Sequence, residues 1–116
     1  MAALPLLMAA CAETPAPRHR PLAPELPAGG LVGLTGPELP LLLGTPALRR
    51  SEPPAEIWQY SARDCLLHVF LYLDEDVLSV RHADARDRRG KPVDVNACAG
   101  RVGAEAAARA AARGGA

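Results

Sequence analysis

The chain has 116 residues, including 12 Pro and 10 Gly, and carries 13 basic and 13 acidic side chains for a formal net charge of zero. That length leaves room for one domain with a small core once the Pro- and Gly-rich flanks are set aside. The even charge balance lacks the basic footprint of a nucleic-acid binder, so no nucleic-acid partner is expected. Every aromatic residue (Trp58, Tyr60, Phe70, Tyr72) falls between Ile57 and Val80, which is where a core must form.

Residues Ala2 to Ala10 form an apolar run that ends Leu7-Met8-Ala9-Ala10-Cys11 and then turns abruptly polar and Pro-rich. Small residues just before a Cys are what a lipoprotein signal requires, because the peptidase needs narrow side chains at the cut and the thiol receives the lipid. Residues 1–10 are therefore expected to be a signal peptide and Cys11 the lipidation site. Met8 stands where Leu is usual and no basic residue precedes the run, so a start upstream of Met1 or a defective signal stays open. The plain alternative is a frayed apolar N-terminus with an incidental Cys. Residues 11–30 carry prolines at 15, 17, 21, 24 and 27 and show no apolar period, which predicts a tether of polyproline II character. At about 3 Å per residue it could hold a domain on the order of 50 Å from its anchor.

The domain is expected over residues 31–112. Thr35-Gly36-Pro37-Glu38 has the form of a capping box, followed by Leu39, Leu42 and Leu43 on one face, with Gly44 as C-cap and Pro46 as stop. Ala55 to Ser61, Cys65 to Leu73 and Val77 to Asp84 read as three antiparallel strands joined by turns at 62–64 and 74–76. Alternation alone divides them into an aliphatic face (Ile57, Cys65, Leu67, Val69, Leu71, Val77) and an aromatic face (Trp58, Tyr60, Leu66, His68, Phe70, Tyr72, Leu78, Val80, His82). Asp94 can cap a last helix with a narrow stripe of Val95, Cys98, Val102 and Ala106. The expected fold class is thus α+β: a short N-terminal helix on a three-stranded antiparallel sheet, with a C-terminal helix.

Gly100 and Gly103 weaken that last helix, so something should pin it. If Cys11 is lipidated, Cys65 and Cys98 remain as a pair in an exported protein, where disulfides form. The alternative is two buried free thiols in the cytosol.

The sequence contains no nucleophile elbow and no Gly-rich phosphate loop, and Asp74-Glu75-Asp76 lacks the ligand spacing of a calcium loop, so neither an enzyme nor a cofactor is expected. Cys65 and His68 point to opposite faces of a strand, which argues against a shared zinc. A hairpin centred on Glu75 would set His68 opposite His82, a weak candidate for a two-His metal site. Arg86, Arg88 and Arg89 with Asp87 read as a solvated charged loop. The aromatic face exceeds what the remaining chain can cover, which makes Trp58, Tyr60, Phe70 and Tyr72 the candidate partner-binding residues.

Gly33-Leu34-Thr35, Glu38-Leu39, the Leu-Gly-x-Pro string at Leu43 to Pro46 and the Trp58-x-Tyr60 that opens a strand together resemble the SmpA/OmlA (BamE-like) family of small bacterial outer-membrane lipoproteins. Trp58-Gln59-Tyr60 and the pattern from Cys65 to Tyr72 also resemble small uncharacterised lipoproteins of alphaproteobacteria. The resemblance, over about residues 31–84, implies a lipidated Cys, a flexible tether and a helical pair on a three-stranded sheet. It also implies attachment to the periplasmic face of the outer membrane and a binding or scaffolding role in envelope assembly, with an envelope protein as partner. The second expectation, from a different class, is a periplasmic metal-binding or redox-responsive protein using His68, His82, Cys65 and Cys98.

Overall fold

The computed structural model describes residues 25–114 together with Ala2, Ala3 and Pro5. Cys11, the signal segment from Leu6 onward and most of the expected tether lie outside the described residues. In chain order the elements are α1 (Leu39–Leu43), β1 (Leu48–Glu52), β2 (Ala55–Ser61), β3 (Cys65–Asp74), β4 (Val77–Asp87) and α2 (Val95–Gly114). The strands form one antiparallel sheet in the order β1-β2-β3-β4. The α+β class is as expected, but the sheet has four strands. β1 escaped the sequence reading because Leu48-Arg49-Arg50-Ser51-Glu52 is exposed at every position and so has no burial period to read. It is a strand because Pro53-Pro54 turns it back onto β2, pairing Glu52 with Ala55 and Leu48 with Gln59.

Register decides which side chains share a face, and here it overturns the division by alternation. Trp58 pairs with Val69 and Tyr60 with Leu67, so both aromatics lie on the aliphatic face of β3 and Ile57 joins Phe70 on the other. β3 pairs with β4 as Leu71 with Val80, yet as Phe70 with His82, the extra residue Arg81 forming a bulge. The β3–β4 turn has Glu75 and Asp76 at its centre, both with positive φ, as a two-residue hairpin turn requires.

The core is therefore mixed: Trp58, Tyr60, Leu67, Val69, Leu71 and Val80 from the sheet meet Leu31, Leu39, Leu43 and Val102 from the other layer. Leu26 also packs against it, so ordered contacts begin inside the segment expected to be tether. α1 starts later than the capping-box reading placed it. Thr35 forms a bridge with Ser79 of β4, and its hydroxyl donates to Glu38 Oε1 at 2.9 Å, leaving Leu39 and Leu43 as the buried turn. α2 is capped as expected, Asp94 Oδ2 accepting the Ala97 N–H at 2.8 Å. Its buried stripe is Cys98, Ala99, Val102 and Gly103. These side chains are small, so α2 lies close: a Cβ on Gly103 would come 2.7 Å from the Leu42 carbonyl oxygen.

Cys65 and Cys98 are disulfide-bonded, with Cα atoms 6.0 Å apart. Around that link the 62–64 turn is clamped from two sides. Arg88 donates to the Ala62 and Arg63 carbonyls, and Glu105 of α2 accepts the Arg63 N–H. Arg88, expected as part of a solvated loop, is thus a fastening between β4's end and the β2–β3 turn.

Candidate functional site

Both helices and the 31–36 segment lie on one side of the sheet, and among the described residues nothing covers the other. That open face carries Phe70, Tyr72, His68 and Leu66 from β3, all partly buried by their neighbours, with His82 exposed on β4. Ile57, opposite Phe70, is 8% exposed, and Leu48 on β1 is 52% exposed. The His82 ring lies 5.3 Å from that of Phe70, and the Arg81 guanidinium sits 5.6 Å from the Tyr72 ring centre. Charged residues form the rim, where Arg50 bonds Glu52 at 3.0 Å and Arg86 bonds Asp84 at 3.3 Å. An apolar, aromatic centre with a compensated charged rim has the composition of a protein-binding surface.

Two of the four candidate partner-binding residues are not there. Trp58 and Tyr60 are 3% and 2% exposed in the core; the β2–β3 register pairs odd-numbered residues with even-numbered ones, so equal parity does not mean a shared face. The Tyr60 hydroxyl is buried with no hydrogen-bond partner among the described residues, and burial pushes its phenol well above the usual range. Phe70 and Tyr72 remain on the open face.

His68 and His82 are not opposite one another. The bulge sets His68 against Asp84 and His82 against Phe70, so the two histidines are diagonal neighbours on the same face. Among the described residues no group of three or more His, Cys, Asp or Glu is placed to hold a metal ion.

One feature that the sequence reading missed lies on the helix-bearing side of the sheet, beside the β3–β4 turn. The Trp58 Nε1–H donates to Glu56 Oε1 at 2.8 Å, and Arg49 donates to the same oxygen at 2.8 Å while its guanidinium lies 4.2 Å from the Trp58 ring centre. The Trp58 hydrogen bond and then that of Arg49 hold the Glu56 carboxyl below its usual range. Beside this cluster is a cavity of about 610 Å³ lined by Gly36, Pro37, Arg49, Trp58, Leu73, Asp76, Val77 and Leu78. Its volume falls within the range of ligand and peptide pockets. A Trp-x-Tyr string across from Arg-Arg could have suggested the cluster, but only once β1 was known to be a strand.

The chain matches no protein-family model, no curated protein and no solved structure. No helix among the described residues is long and apolar enough to cross a membrane.

Proposed function

We propose that the protein is a small binding module of the bacterial envelope, tethered through lipid on Cys11 to the periplasmic face of the outer membrane. It presents the open face of its sheet to an envelope protein partner in a scaffolding role. The observation that carries this reading is the Phe70–Tyr72–His82 face, which no layer among the described residues covers and which leaves both aromatics partly exposed although side chains of this size are costly to expose. The Cys65–Cys98 bond supports an oxidising compartment, since such bonds persist mainly outside the cytosol. The resemblance of residues 31–84 to SmpA/OmlA lipoproteins belongs to the same proposal and supplies its envelope setting.

Two measurements on the full-length chain test it. Radiolabelled palmitate should enter the wild type and not Cys11→Ala. Tagged wild type should co-purify a partner from envelope extract that Phe70→Ala/Tyr72→Ala loses while melting near the wild-type temperature. Absence of label from the wild type removes the anchor, and a partner retained by the double variant removes the open face as its dock.

A further inference from the structure

The two edges of the sheet are treated differently by the chain. β4's edge is largely used up: Gly33 and Gly36 donate to the Val80 and Leu78 carbonyls, Val80 donates to Leu34, and Val93 and Asp87 bond Ala85 and Lys91 in turn. β1 pairs with β2 on one side only, and among the described residues no segment lies along its other side. A row of unpaired, aligned N–H and C=O groups is complementary to one thing, an extended backbone.

Bare edges are commonly defended by charge, and β1 does carry Arg49 and Arg50. Each is engaged by a carboxylate of the same sheet, Arg49 by Glu56 at 2.8 Å and Arg50 by Glu52 at 3.0 Å. Both guanidiniums are thus drawn onto the sheet faces, and the edge itself is left clear and electrically balanced. Next to it, the helix-side residues of β1 open onto apolar space. Arg49 lines the 610 Å³ cavity with Trp58, and Ser51 lines a second of about 210 Å³ that shares Leu73 and Leu78 with the first. Leu73 and Val77 are left 68% and 43% exposed there.

We propose that β1 accepts an extended segment of a partner protein as a fifth strand, with the segment's alternate side chains apolar and lodged in the groove beside Trp58. Backbone bonds to β1 supply the affinity, and the groove selects the every-second-residue pattern. The proposal deepens the binding-module reading and rests on it for the existence of a protein partner, but it needs neither the lipid anchor nor the open face.

The test uses the full chain, oxidised, panned against a random dodecapeptide display library, with enriched peptides synthesised and titrated. Trp58 is the only tryptophan, so its emission reports occupancy of the groove. Enriched peptides should share apolar residues at every second position, change Trp58 emission and slow amide exchange at 48–52. N-methylation of two alternate peptide nitrogens should weaken binding about tenfold or more, and Tyr72→Ala should leave binding unchanged. An absence of enriched peptides overturns the proposal. So do peptides that Tyr72→Ala releases and that leave β1 exchange unaltered, an outcome that keeps the binding module and moves its site to the open face. Protection of 48–52 that grows with protein concentration alone would assign the edge to a second copy and also overturn it.

Discussion

Cys65 opens β3 and Cys98 lies in the first turn of α2, and the bond between them joins two residues 33 apart in sequence. The other buried residues of α2, Ala99, Val102 and Gly103, are too small to bury much apolar area, and its polar ties to the β2–β3 turn, Glu105 to the Arg63 N–H and Arg101 to Asp64, are exposed. Cys65→Ala/Cys98→Ala should therefore lose about 3 to 4 kcal/mol by the loop-entropy estimate. Chemical denaturation under non-reducing conditions measures this. A variant within about 1 kcal/mol of wild type would mean that packing alone holds α2.

Trp58 and Tyr72 are two residues of one aromatic cluster in the sequence but belong to opposite faces of the sheet. Trp58→Ala removes a core side chain and should cost about 3 to 5 kcal/mol. Tyr72→Ala, which loses contacts on the open face and its place under Arg81, should cost about 1 kcal/mol or less. Thermal or urea unfolding of the pair compares them directly, and equal losses would contradict the assignment of faces.

Glu56 links Trp58 to pH. Its pKa in the folded state lies below the ordinary value of 4.5, through the Trp58 hydrogen bond first and Arg49 second. Its contribution to stability is accordingly complete above the ordinary value and is lost as pH falls through the lowered folded one. Trp58 emission in the native protein should titrate only below pH 4.5, and Glu56→Gln should flatten that titration. A midpoint above the ordinary value, or the same curve in the variant, would refute the coupling.

Two glycines in α2 should respond oppositely to the same substitution. Gly100 has nothing within 4 Å of a built Cβ, so Gly100→Ala should stabilise by about 0.5 to 1 kcal/mol through helix propensity. At Gly103 the added methyl meets the Leu42 carbonyl at 2.7 Å, and α1 must move; Gly103→Ala should cost about 1 to 3 kcal/mol. Denaturation midpoints of the two variants on either side of wild type are the expected result.

The aliphatic half of the core, strands β2 to β4, the capped last helix and the cysteine pair were legible because each leaves a local mark: an apolar run, a turn, an Asp before a periodic stretch. β1 left none, being exposed throughout. The faces of Trp58 and Tyr60 were misjudged because side-chain parity carries from one strand to the next only through the turn, and the turn closed by Ala62 N–H to the Cys65 carbonyl sets odd against even. The two-residue turn at Glu75 and Asp76 likewise sets odd against even and takes His82 out of register with His68, and the bulge at Arg81 then returns His82 to the face of His68, opposite Phe70; a bulge is a backbone event with no compositional signature at this site. Phe70 and Tyr72 were placed correctly because they sit on β3, the strand whose own alternation is decisive.

The fastening of residues 33–36 to β4 also fixes a mechanical route through the molecule. A pull applied at the N-terminal end passes the packed Leu26 and Leu31 and is transmitted to the sheet by the Gly33–Val80, Val80–Leu34 and Gly36–Leu78 bonds. The load thus falls on β4's edge, and the covalent link from β3 to α2 lies beyond it in the chain, bearing no tension until that edge has peeled.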